Sequence, residues 1–196
     1  MKTTRLEAFS DGVIAILITI MVLELHVPAG GGLDALRPLV PKLLCYALSF
    51  VFLAIYWNNH HHMLQAVRVI DGRALWANTS LLFWLSLTPF ATAWMGEHFG
   101  PVSVAAYGVV LFLSGVAYYV LARILVGLHG AASPLGRAIG MDQKGRLSLV
   151  IYALAVALAA WRPLVSCGLY VVVAIMWLVP DRRIERALHE HAQHPH

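Results

Sequence analysis

Six apolar runs separated by short polar intervals divide this chain, and most approach the roughly 20 residues that an α-helix needs to cross a bilayer. They cover residues 8–27, 39–63, 74–95, 101–122, 147–161 and 163–179. Six such helices would take up roughly 120 residues, which leaves only short loops and a tail in a chain of 196. Charged residues make up 12% of the sequence, against about 25% in ordinary soluble domains. So few charges cannot cover a soluble surface. The expected fold is therefore all-α: an integral membrane protein with one six-helix domain over residues 1–180 and a polar, His-rich tail over 181–196.

The net charge of +4 does not point to nucleic acid. Lys and Arg sit in small groups between the apolar runs, where they report orientation, because cytoplasmic loops carry the Lys/Arg excess. With the N-terminus inside, eleven basic residues fall on the cytoplasmic side and three, Arg37, Lys42 and Arg162, fall outside. An even number of spans returns the C-terminus to the same side. The expected location is the cell inner membrane, multi-pass, with both termini cytoplasmic. Cys45 and Cys167 both lie in apolar runs and form no disulfide framework. The first run carries Asp11 and Glu24 without a small-residue cleavage site after it, so it is read as a retained helix rather than a signal peptide.

Ionisable side chains inside a span are costly and face protein or water. The first run has Asp11 and Glu24, with Arg5 just before it. At 100° per residue, Gly12, Ile16, Thr19, Ile20, Leu23 and Val27 fall within about 60° of Ile16, and Asp11 lies roughly 140° away. If that stripe faces a pore, Asp11 faces neighbouring helices; a structural role and an ion-binding role both remain open. Glu24 either forms a carboxylate ring at a pore mouth or pairs with Arg37 or Lys42. His60, His61 and His62 are consecutive, so their side chains diverge by about 100° and do not converge on one ion as an i, i+4 pair can. No metal site is expected there, nor in the tail with His189, His191, His194 and His196.

Arg5, Phe9, Ser10 and Asp11, in the string RLEAFSDGVIAILITIMVLEL, match an R-x-x-x-F-S-D signature. On these residues the chain resembles the transmembrane protein 175 family of lysosomal potassium channels, in its single-repeat prokaryotic form. YWNNHHHML and RALWANTSLLFWLSLTPF are similar to the family's second and third helices; the C-terminal half resembles it in topology alone. The resemblance implies a homotetramer in the lipid bilayer whose four first helices surround a pathway for monovalent cations, potassium being the permeant ion. It implies Ile16 as the main constriction, Ile20 and Leu23 as further apolar rings, and Thr19 as a hydroxyl close by. It also implies a polar network of Arg5, Ser10 and Asp11 with His60 or His61 and Trp76.

The sequence has neither the TVGYG loop of carbonyl-lined potassium filters nor an Arg-rich voltage-sensing helix. No nucleophile and base constellation or nucleotide loop is present, so no enzyme and no cofactor are expected. The alternative function is a proton-permeable channel or a proton-coupled secondary transporter built on Asp11 and the His cluster.

Overall fold

In a computed structural model, residues 3–28, 30, 32–140 and 142–178 are described; the expected tail over 181–196 lies outside them. The described residues form helices α1 (Thr3–Leu23), α2 (Val40–Gln65), α3 (Gly72–Ser86), α4 (Thr88–Glu97), α5 (Pro101–His129), α6 (Pro134–Ile139), α7 (Gln143–Ala159) and α8 (Pro163–Leu178), with a 3-10 turn over Leu33–Leu39 leading into α2. This is an all-helical membrane protein. Thr3–Leu23, the continuous Leu33–Gln65 stretch and Pro101–His129 are each long and apolar enough to cross a bilayer.

Local chemistry sets the helix ends. Asp71 Oδ1 accepts the Ala74 N–H at 2.9 Å and caps α3. Ser133 Oγ does the same for Gly136 in α6, and Asp142 Oδ1 for Gly145 in α7. Each satisfies one of the N–H groups a helix start leaves unpaired. Pro101 and Pro163 open α5 and α8, where a missing N–H costs nothing.

The third expected segment, 74–95, is two helices rather than one. Pro89 lies at the start of α4; it has no N–H for the Leu85 carbonyl, and its ring crowds that turn. The chain tightens at Leu87, whose N–H bonds to Trp84 O at 3.2 Å. The other boundaries shift too. α1 begins five residues before the expected start and ends at Leu23, so Glu24 and Val27 lie beyond it. α5 runs past Arg123 to His129, since a long basic side chain can reach out from an apolar helix. α7 takes its extra turn from Gln143 to Arg146.

The helices run up and down. α5 packs on both α3 and α7, α7 on α8, and α2 on α4. At one end, His129 Nδ1–H donates to Leu125 O, and its Nε2 accepts the backbone N–H groups of Arg68 and Val69, fastening the α2–α3 connection to the end of α5. At the other end, Lys42 Nζ and Glu97 Oε1 pair at 2.8 Å. One core joins α1, α2, α3 and α5; a second joins α2, α4, α5, α7 and α8. Between them, Ser49 Oγ lies 2.7 Å from Thr92 Oγ1 and 2.9 Å from Tyr107 OH, linking α2, α4 and α5.

α5 and α8 approach closely at Gly108. Tyr170 lies over it and donates its hydroxyl to Val104 O at 3.1 Å. A Cβ at Gly108 would sit 2.7 Å from Tyr170 Cζ and 2.8 Å from Val156 Cγ2. Gly108→Ala is therefore expected to destabilise the bundle by about 1–3 kcal/mol, the usual cost of overpacking a filled core. Thermal unfolding in detergent checks this; an unchanged midpoint would mean the α5–α8 contact is looser than described.

Candidate functional site

Helix α1 has two opposed faces. Leu6, Ser10, Ile14, Leu17 and Met21 are buried against the rest of the chain. The opposite side is uncovered, with Phe9 59%, Ile16 57%, Ile20 40% and Leu23 74% exposed; Gly12 and Thr19 lie between them and are exposed too. Apart from the adjacent Thr19 and Ile20, successive members are three or four residues apart, so the stripe runs the length of the helix on one side. Thr19 Oγ1 donates to the Ile16 carbonyl at 2.9 Å. That bond leaves the hydroxyl oxygen's lone pairs on the uncovered face.

Glu24 lies just past α1 and is exposed. Its backbone carbonyl accepts from His26 Nδ1 at 3.0 Å. Lys42 pairs with Glu97 instead, and Arg37 with Asp34 at 3.4 Å. Neither of the basic partners considered for Glu24 reaches it.

Three polar connections tie the buried side of α1 to α2 and α3. In the deepest, His60 Nε2–H donates to Asn78 Oδ1 at 2.7 Å, and Asn78 Nδ2–H donates to Ser10 Oγ at 3.0 Å. All three residues have no exposed surface. Each bond in this chain matches a donor to an acceptor, as buried polar groups require, while His60 Nδ1 is buried without a partner. Asp11 is turned toward α2, where Trp57 Nε1–H donates to its Oδ1 at 3.0 Å. Glu7 Oε1 lies 2.9 Å from His61 Nδ1, and the Trp57 and His61 rings stack with centroids 5.7 Å apart. Donor atoms of Glu7, Asp11 and His61 all lie within 4.8 Å of one another.

The structure thus brings Ser10, Asp11, His60 and His61 to one seam, with the two histidines in separate contacts. It does not bring Arg5 or Trp76 there. Arg5 is exposed, without an ion pair among the described residues, and Trp76 is 77% exposed. Three members of the seam escaped the sequence reading: Glu7, Trp57 and Asn78. Each carried a signal, since Glu7 precedes Asp11 by one helical turn, Trp57 precedes His61 by one turn, and Asn78 is an amide inside an apolar run.

With that geometry in place, similarity to known proteins is informative. Residues 5–89 match the family model described as endosomal/lysosomal potassium channel TMEM175. A potassium channel of Chryseobacterium sp. (strain P1-3) is 48% identical over 191 residues, covering 97% of this chain and all of that protein. The crystal structure of a lysosomal potassium-selective channel TMEM175 homolog from Chamaesiphon minutus superposes with a TM-score of 0.80 at 28% identity, covering 91% of this chain and 97% of that one. The human endosomal/lysosomal proton channel TMEM175 is 32% identical over 99 residues, spanning 44% of this chain and 20% of that protein. A relative of nearly half identity along its whole length and a shared helical architecture lead to one conclusion: this chain belongs to the TMEM175 family.

Proposed function

We propose that the chain conducts potassium passively, as a homotetramer in which four copies of α1 surround a central pathway. The observation that carries this reading is the uncovered stripe on α1. A helix packed at the side of a bundle would show lipid a uniform apolar surface; this one shows Gly12, Ile16, Thr19, Ile20 and Leu23 in line, with Arg5 at its start and Glu24 just past its end. Four such faces around an axis place Ile16 in an apolar ring. A ring of this kind cannot replace an ion's hydration shell, so when narrow it blocks by dewetting, and when wider it passes a partly hydrated ion. Potassium holds its water less tightly than sodium and crosses at lower cost.

The remaining residues take supporting roles. Ile20 and Leu23 extend the apolar lining, and Thr19 offers a hydroxyl near the narrow point. Glu24 carboxylates at the mouth raise the local cation concentration. Ser10, Asn78 and His60 hold the rear of α1, so that its pore face keeps its rotation. Six passages are formed by α1, α2, the broken α3–α4 pair, α5, α7 and α8, with both termini cytoplasmic in the cell inner membrane and residues 1–180 as the channel domain. The relatives named as potassium channels support the permeant ion.

Planar-bilayer recording of the purified protein in mixed potassium and sodium tests the reading. Unitary currents reversing toward the potassium equilibrium potential are expected, together with a native mass of four chains. Silent bilayers with verified incorporation would overturn it. Relatives named as proton channels favour a second reading, proton permeation; current that follows a pH gradient in the absence of potassium would select it.

A further inference from the structure

We propose that Glu7, Asp11 and His61 form a binding site for a divalent transition-metal ion of the zinc class, joining the first turns of α1 to the end of α2. The inference is independent of the proposed pore, because it concerns binding rather than current. Glu7 and Asp11 are one turn apart on α1 and share a face; His61 meets them from α2, and the donor atoms of all three lie within 4.8 Å. Consecutive histidines cannot converge on an ion. One histidine and two carboxylates from facing helices can.

The contact between His61 and Glu7 is short but bent. His61 Nδ1 lies 2.9 Å from Glu7 Oε1, yet it has no aligned hydrogen-bond partner and is sealed from solvent. Metal–ligand bonds of about 2.0–2.2 Å in a tetrahedral site place neighbouring ligands roughly 3.3–3.6 Å apart, each pointing at the ion rather than at the other. The 2.9 Å separation without alignment is short of that arrangement by about half an ångström, within reach of a small side-chain rotation. An N–H···O bond at the same distance would be straight.

Outer contacts hold two of the three side chains, His61 and Asp11. Gln65 Nε2 lies 2.8 Å from His61 Nε2; a half-turn of the amide puts its carbonyl oxygen there instead, where it accepts the Nε2–H and leaves Nδ1 as the free lone pair. Trp57 Nε1–H fixes one Asp11 oxygen, and its ring stacks on His61 at an interplanar angle of 18°. Orienting partners of this kind are what metal-ligating imidazoles and carboxylates have. The charge also balances, since two carboxylates one turn apart repel and Arg5 forms no ion pair with either among the described residues. A +2 ion neutralises both.

The donor set selects the ion. Magnesium and calcium favour all-oxygen shells, whereas an imidazole beside carboxylates suits zinc or its neighbours. Three protein ligands leave a position for water at this half-buried site. His60 is not among the donors that converge within 4.8 Å, and its Nε2 is engaged by Asn78.

The test is titration of the metal-stripped full chain in detergent with cobalt(II) as an optical probe, followed by displacement with zinc. One cobalt per chain is expected, with ligand-field absorption and quenching of Trp57 emission. His61→Asn or Glu7→Gln should weaken that equivalent at least tenfold, while His62→Asn and replacement of the four tail histidines by Asn leave it intact. Zinc should also raise the thermal midpoint of the unaltered protein, as any ligand bound only by the folded state does. Absence of the equivalent from the unaltered protein overturns the proposal whatever the variants do. So does binding that survives His61→Asn and vanishes with the tail histidines.

Discussion

Replacing Ile16 with Asn is expected to raise sodium permeability relative to potassium several-fold in mixed-ion bilayer recordings. Ile16 is 57% exposed on the uncovered face of α1, and in the proposed tetramer four copies meet at the narrow point. An aliphatic ring offers no oxygen to an ion that sheds water there, so the barrier is set by dehydration and is higher for sodium. Four Asn side chains would contribute carbonyl oxygens and hold water in the ring. The barrier then falls most for the ion that loses most by dehydrating. A differential change of about 1.4 kcal/mol is tenfold, so less than one hydrogen bond's worth of selective stabilisation suffices. Ile14, two residues earlier, is only 1% exposed; the same substitution there should damage folding and leave no altered pore to record. An active Ile16→Asn channel with an unchanged permeability ratio would remove Ile16 from the constriction.

Asn78→Leu carries the largest expected effect on stability. The volume is nearly preserved, but the His60 Nε2–H and the Ser10 hydroxyl both lose their partner. Stranding a buried polar group costs about 1–3 kcal/mol, so two stranded groups predict a loss of about 2–6 kcal/mol. The lower part of that range applies if Ser10 turns back to a carbonyl one turn earlier on α1, an alternative open to helical serine. Denaturation in mixed detergent micelles, followed by helix content, gives the measurement. Ser10→Ala in the Asn78→Leu background should cost less than Ser10→Ala alone, because the bond it removes is already gone. An Asn78→Leu protein as stable as the original would show that the buried chain does not hold α1.

The boundaries of the helices separate two kinds of signal. Hydropathy registers side chains that tolerate lipid, so it placed the first span at residues 8–27, whereas the helix itself is a backbone property and runs over Thr3–Leu23. The polar residues of that first turn, Thr3 to Glu7, are helical without being apolar. The break ahead of α4 was readable at Pro89, since proline removes a helical hydrogen bond wherever it occurs. α5 passes Arg123 without stopping, because a single basic residue changes hydropathy but not helical geometry.

The seam behind α1 shows where sequence ends. Three adjacent histidines were visible, and no spacing rule chooses among them: each points about 100° from the next, so selection depends on how α2 is rotated. In the fold, His60 points to Asn78 of α3 and His61 to Glu7 of α1. The same rotation brings Trp57 to Asp11 and leaves Trp76 outside.

The sequence by itself determined a membrane-embedded helical protein, its apolar segments, the motif from Arg5 to Asp11 and the stripe through Ile16. These follow from composition and from the fixed periodicity of one helix, both local properties. Only the tertiary structure decided which face of α1 stays uncovered, that Asn78 links His60 to Ser10, and that Glu7, Asp11 and His61 converge. Those outcomes depend on the relative rotation and crossing of α1, α2 and α3. Helix rotation is set by packing across residues far apart in the chain, and no window along the sequence contains it.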